Sequence, residues 1–358
     1  MTRNVEDRLR DAFTAGAELV SPESLKGVAA PVVARPRRTF PGLPVLAAAS
    51  VAVVLGAVAI FPSWSRQPVT PGGFTAVVDA LARRVEQPRE YWRSETETLT
   101  RGRPSKQTYN VEERTRRVYW ATPRGTAVAT TPLQTRPVTT ADERKWRAAG
   151  APALCGFAVG CKGVEDRRGR TDYWFAEGFE FGPVSLTRPQ LLALPQDPQW
   201  LEAELLRALR SQGRLDPPGP GVQVKQPSEQ DLLWLTGEWL LTQMPTPPAV
   251  RAAVLRMMAA LPGARIVDEA KDAEGRSGLA IVRKAERDPM ESRLVIDRSS
   301  GDVLGTMTLV AGPLPARAGL EVGDLASAVV VRKHGWTGEG PRLPDGCVQE
   351  AGKTCRGS

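Results

Sequence analysis

Hydrophobic and polar positions along this chain fall into three regimes. From Val45 to Phe61 the run VLAAASVAVVLGAVAIF carries no charge and no proline. As a helix it spans about 26 Å, close to the roughly 30 Å hydrocarbon core of a bilayer. Before it, Val5, Leu9, Ala12, Phe13 and Ala17 recur at helical spacing behind a candidate N-cap, Asn4, while Glu6, Asp7, Arg8, Arg10 and Asp11 take the other faces. After it, strand-like alternation and three-and-four helical spacing take turns, the pattern of a domain that mixes both elements.

Arg35, Arg37 and Arg38 precede the apolar run, and only Arg66 follows it closely. Cationic residues are retained on the cytoplasmic side, so the pattern places the N-terminus inside and the bulk of the chain outside a cell membrane crossed once. Three readings of the run stay open. It is an uncleaved anchor, a signal cleaved after Ala59 in the small-x-small sequence Ala57-Val58-Ala59, or a buried helix. The long arm before it favours the anchor, since signal peptides begin with far shorter segments. The expected organisation is a cytoplasmic helical arm over 1–30, a basic, proline-rich linker over 31–44, a transmembrane helix over 45–61 and a linker over 62–73. An extracytoplasmic domain over 74–335 and a disulfide-closed tail over 336–358 complete it.

Within the exported part, Phe74 to Val85 predicts an amphipathic helix, with Phe74, Val77, Val78, Leu81 and Val85 on one side. Strands are predicted over Tyr91 to Thr100, Lys106 to Ala121 and Gly125 to Pro132, forming an antiparallel meander. Thr140-Ala141-Asp142-Glu143 reads as a capping box. Tyr173 to Phe181 is an aromatic run. Helices follow at Asp197-Pro198, at Ser228 to Leu241, and from Thr246-Pro247-Pro248 to Leu261. The last third returns to strands, at Ala264 to Glu269, Leu279 to Lys284, Ser292 to Ile296, Asp302 to Leu309 and Ala326 to Arg332. The order argues for an α+β fold: a curved, mainly antiparallel sheet with helices on one side, preceded by one transmembrane helix.

Composition narrows the chemistry. The 358 residues carry a formal net charge of +8, with 48 Lys and Arg against 40 Asp and Glu. The two signs are interleaved and no basic tract stands out, so nucleic acid is not an expected partner. All four cysteines follow the apolar run. Local pairing, Cys155 with Cys161 and Cys347 with Cys355, is favoured among three connectivities because short separations in loop-like sequence close easily. The spacings match no zinc pattern, and His334 is the single histidine, so no metal or cofactor is expected. His334 reads as a surface residue, and Glu95 and Glu97 read as one solvated strand face. No residue is assigned a catalytic role, and the chain is not expected to be an enzyme. Trp174, Phe179, Phe181, Trp234 and Trp239 form a candidate apolar cavity, with plain core as the competing reading.

Several stretches carry a resemblance. They are Pro247-Pro248-Ala249-Val250-Arg251 to Leu261-Pro262-Gly263, Val267 to Glu269, Asp272 to Gly275, Leu294-Val295-Ile296-Asp297, and Ser300-Gly301-Asp302-Val303-Leu304-Gly305. With Tyr91-Trp92 and the basic arm and apolar helix, they resemble an uncharacterised family of actinobacterial single-pass membrane proteins, often encoded beside extracytoplasmic-function sigma factors. The helix followed by long strands is also similar, more distantly, to the half-barrel domains of periplasmic lipoprotein carriers and sigma-factor regulators. The half-barrel likeness bears on fold. The leading functional expectation is an exported domain that binds a partner, a lipid or another apolar ligand. The alternative is a regulator that holds a sigma factor through residues 1–30, although that arm carries no zinc-type anti-sigma cluster. An exported enzyme is the third reading.

Overall fold

Tyr91–Gly102, Val111–Thr122 and Gly125–Pro137 form β1, β2 and β3, three long antiparallel strands. A computed structural model describes residues 72–104, 106–122, 125–154, 171–176, 178–181, 184–215, 227–284, 288–315, 318–352 and 354–356. The expectations for the arm, the apolar run, the linkers up to residue 71, Cys155 and Cys161 lie outside these residues. Among the described residues no helix is long and apolar enough to cross a membrane.

The remaining strands are β4 (Asp172–Ala176), β5 (Phe179–Phe181), β6 (Val184–Leu186), β7 (Ala264–Lys271), β8 (Ser277–Lys284), β9 (Met290–Ile296), β10 (Val303–Val310), β11 (Leu325–Thr337) and β12 (Thr354–Arg356). Ten strands pair in the order β12-β4-β3-β2-β1-β11-β10-β9-β8-β7, while β5 and β6 form a separate hairpin. Every pairing is antiparallel. The fold is α+β. Two meanders, β1–β4 and β7–β10, meet on β11. Register shifts at Glu95/Thr96, Glu113/Thr115, Val267/Ala270, Val303/Gly305 and Thr308/Leu309 interrupt the ladders, and such bulges bend the strands that carry them.

Among the described residues six helices accompany the strands: α1 (Gly72–Arg83), α2 (Thr140–Ala148), α3 (Arg188–Leu192), α4 (Pro198–Ser211), α5 (Glu229–Thr242) and α6 (Pro248–Ala260). Asp197 and Ser228 cap α4 and α5 as the sequence predicts. For α2 the cap is Thr139, one residue earlier than expected, with Asp142 closing the capping box. The short α3, behind Thr187, had no apolar periodicity to announce it.

Side chains of α1, α4, α5 and α6 share one apolar cluster with Trp92, Tyr119, Leu279, Ile281, Leu294, Ile296 and Val331. Those strand residues alternate with outward neighbours, so the helices cover one face, called inner here. A smaller cluster of Leu99, Ala280, Val282, Val295, Met307, Ala328 and Val330 lies on the outer face. Helix α6 is buried nearly all round, including Val250, Ala253, Val254, Leu255 and Met258, as befits a helix wedged between layers. At Gly237 on α5 an added Cβ would stand 2.6 Å from Met258 Sδ, so glycine lets α5 and α6 approach.

The tail ends in the disulfide Cys347–Cys355. Tyr173 Oη donates to the Arg342 carbonyl at 3.0 Å, Gln349 Nε2 donates to Thr122 Oγ1 at 2.8 Å, and β12 pairs with β4, so the tail is stitched to the β3–β4 end of the sheet.

Candidate functional site

The registers stack the inner face of β11, β1, β2, β3 and β4 into rows. One row runs Trp336, Trp92, Ala121, Thr126 and Ala176. The next holds His334, Ser94, Tyr119, Val128 and Trp174. The third holds Val331, Thr96, Arg117, Thr130 and Asp172, and the fourth Val329, Thr98, Thr115 and Pro132.

The end of α5 and the residues after it close over the first two rows. Trp92 Nε1 donates to the Gln243 carbonyl at 3.0 Å, Ser94 Oγ donates to the Thr242 carbonyl at 2.5 Å, and Tyr119 Oη donates to Met244 Sδ at 3.7 Å. Beyond this seam the cover thins. Thr98, Thr115, Arg117, Thr130, Ser327 and Val329 are all half-buried. Threonine and valine there present methyl groups interleaved with hydroxyls.

Two ionisable groups are withdrawn from water, Arg117 in this region and Glu238 on the helix that closes over the first two rows. Arg117 lies on β2 between Thr96 and Thr130 across the ladders. Among the described residues no ion pair or side-chain hydrogen bond reaches it, and desolvation lowers its pKa. Glu238, one turn before Thr242 on α5, accepts a hydrogen bond from Trp234 Nε1 at 2.8 Å. Protein surrounds its carboxyl, and burial pushes it up to about 7, the Trp234 bond offsetting only part of that. Yet Glu238 keeps some accessible surface.

A second polar cluster ties α1 and α6 to the sheet beside the first two rows. Arg84, just past α1, reaches Asp302 with both terminal nitrogens, one at 2.8 Å, and donates to the Ser300 carbonyl at 3.3 Å. His334 Nε2 lies 3.3 Å from the same carboxylate, and its ring stacks on Trp92 at 5.7 Å. Burial works to raise Asp302, but the hydrogen bonds from Arg84 and His334 overcome it and hold the carboxyl well below its usual range. Arg251 of α6 is 3% exposed, pairs with Glu86 and sits 5.6 Å over the Trp92 ring. His334, expected at the surface, has a side chain only 10% exposed, because stacking on Trp92 and the reach to Asp302 draw it in.

Glu95 and Glu97 also depart from the expected solvated face. Both lie on the outer face in a ladder of alternating charge: Arg93–Glu95 at 2.7 Å, Arg116–Glu97 at 3.2 Å and Arg332–Glu97 at 2.6 Å. Glu112, further along that face, receives Arg101 and Arg114 at 2.8 Å each and Arg136 at 3.0 Å.

Of the aromatic set read from the sequence, Phe179 and Trp234 lie within the main cluster at 1% and 4% exposure, and Trp239 packs half-buried against it. Trp174 is half-buried on the inner face of β4. Phe181 ends β5, paired with Val184. Sequence reasoning missed Arg117, Arg251 and Glu238. Only Glu238 carried a signal, a carboxylate among Leu232, Leu233, Trp234, Leu240 and Leu241.

No protein-family model matches the chain, and none of the curated proteins matches it either. Among solved structures it is similar to a chain of the Pseudomonas aeruginosa MucA/MucB complex, with 12% identity and a TM-score of 0.24, over 76% of this chain and 58% of that one, less than two thirds of its length. It is also similar to a LolA-superfamily protein of Nitrosomonas europaea, with 10% identity and a TM-score of 0.20, over 76% of this chain and 94% of that one. Neither score reaches the level at which two chains share a fold, so the functional reading rests on this chain's own residues.

Proposed function

We propose that this chain is a single-pass envelope protein whose exported domain, residues 74–335, binds an apolar ligand rather than catalysing a reaction. The carrying observation is the half-open inner face beyond the α5 seam. Binding sites for small molecules are concave and largely apolar, with a few placed polar groups. Here Val128, Thr98, Thr115, Pro132 and Val329 supply the apolar surface, and Arg117 is the placed polar group. The anchor at 45–61 would hold that face near a membrane, a source of apolar molecules.

Photolabelling tests this reading. A twelve-carbon alcohol bearing a diazirine is added to native membranes containing the full chain, and labelled peptides are mapped by mass spectrometry. Labelling concentrated in β2 and α5 is expected. Labelling spread evenly over the exported surface would refute the reading.

A further inference from the structure

We propose that the molecule taken by the inner face ends in an oxyanion, carboxylate or phosphate, and that Arg117 is its counter-charge. This rests on the inner face being a ligand site and adds the chemical class of the ligand.

Charged groups withdrawn from water are normally paired, because an isolated ion in a poorly solvated place is costly. The chain follows that rule elsewhere. Arg251 has Glu86, Arg283 has Asp231 at 2.8 Å, and Arg276 has Asp272 at 2.6 Å. Among the described residues no carboxylate is within ion-pair reach of Arg117. Its partners across the strands are Thr96 and Thr130, neutral side chains whose hydroxyls could add hydrogen bonds to an oxyanion. Asp172, in the same row, is two strands away and has contacts of its own.

Glu238 does not fill the gap. Among the described residues it makes no ion pair, and burial raises its carboxyl to about 7, so that near pH 7 about half of it is neutral. The row thus holds a fixed cation with hydroxyl donors on both sides, beside methyl-bearing side chains, and its one carboxylate, Asp172, stands two strands away from that cation. A carboxylate or phosphate on an alkyl chain completes both halves. A guanidinium is also the side chain best shaped to grip either oxyanion through paired hydrogen bonds.

The test uses the full chain in nanodiscs of zwitterionic lipid and three diazirine-bearing twelve-carbon chains, with carboxylate, phosphate or hydroxyl heads. In the wild type, at least one anionic probe is expected to label β2 and α5 peptides about tenfold more than the hydroxyl probe, the ratio that about 1.4 kcal/mol corresponds to. The stronger of the two identifies the head. Arg117→Gln is expected to bring that ratio below about threefold, and Arg117→Lys to keep most of it. Equal labelling by all three heads in the wild type overturns the oxyanion assignment while leaving the apolar site standing. So does a preference that survives Arg117→Gln. Absence of β2 and α5 labelling with every head overturns both proposals. Should Arg117→Gln also lose hydroxyl labelling, the wild-type head-group ratio and the Arg117→Lys variant decide alone.

Discussion

Replacing Glu238 by glutamine should make the protein more stable, and only above the acid range. The carboxyl has an ordinary pKa of 4.5, raised by burial to about 7 in the fold. Between those values the folded protein holds a proton that the unfolded chain has released. Raising the pH through that window therefore draws the equilibrium toward the unfolded chain. The group costs nothing below about pH 4.5, a growing amount up to 7, and its full amount above. At about 1.4 kcal/mol per unit the full cost is about 3 kcal/mol, an upper figure because Glu238 keeps some accessible surface. Glutamine preserves the oxygen that accepts from Trp234 Nε1 and cannot ionise. Chemical unfolding of wild type and Glu238→Gln, run side by side from pH 4.5 to 8, reads the difference directly. It should be near zero at pH 4.5 and favour the variant by up to about 3 kcal/mol at pH 8. A difference that stays flat with pH, or that favours the wild type at pH 8, would refute the burial of the Glu238 carboxyl.

Three other expectations concern the frame around the site. Asp302→Ala should cost about 2–3 kcal/mol by thermal unfolding, because it leaves Arg84 and His334 without their shared acceptor. Since its folded pKa is depressed, the contribution of Asp302 should be whole above about pH 4 and be lost on acidification below that. Phe179→Ala should cost about 3–5 kcal/mol and lower the yield of folded protein, as expected for a ring 1% exposed in the main cluster; a loss under 1 kcal/mol with weakened alkyl labelling would instead mark it as ligand-lining. Cys347→Ser should cost about 2–3 kcal/mol from its short closed loop, and hydrogen exchange should show β12 freed from β4.

Much of the architecture was legible because burial imposes a period. Phe74 to Val85, Ser228 to Leu241 and the helix opening at Pro247-Pro248 emerge nearly where apolar spacing places them. The capping residue of α2 slipped by one, since Thr139 and Thr140 are equivalent until the backbone chooses. The charged groups were harder. A charge in the Pro248–Ala260 helix gives no sign of burial by itself, but α6 has no solvent side at Arg251, where Glu86 and Trp92 enclose it. His334 follows Arg332 and Lys333, a context that suggests a surface. The bulge at Glu95/Thr96 sets Lys333 opposite Glu95 and leaves His334 opposite Ser94 on the inner face. Arg117 was invisible because its neighbour Arg116 is just as charged. Only the register shows that one joins the outer ladder and the other turns inward.

The position of β11 bears on how the chain reaches this fold. Its neighbours are β1, the first strand among the described residues, and β10. Until β11 appears, each meander carries a long strand with one unsatisfied edge, β1 on one side and β10 on the other. Sheets closed by such distant pairings assemble slowly, and their open edges invite association with other chains. Most of the polypeptide must therefore wait, half-assembled, for a strand encoded close to its end. A truncation just before Leu325 would leave two sticky fragments rather than a smaller domain, and a chaperone that shields β1 and β10 in the interval would raise the yield of folded protein more than any added stability in the helices.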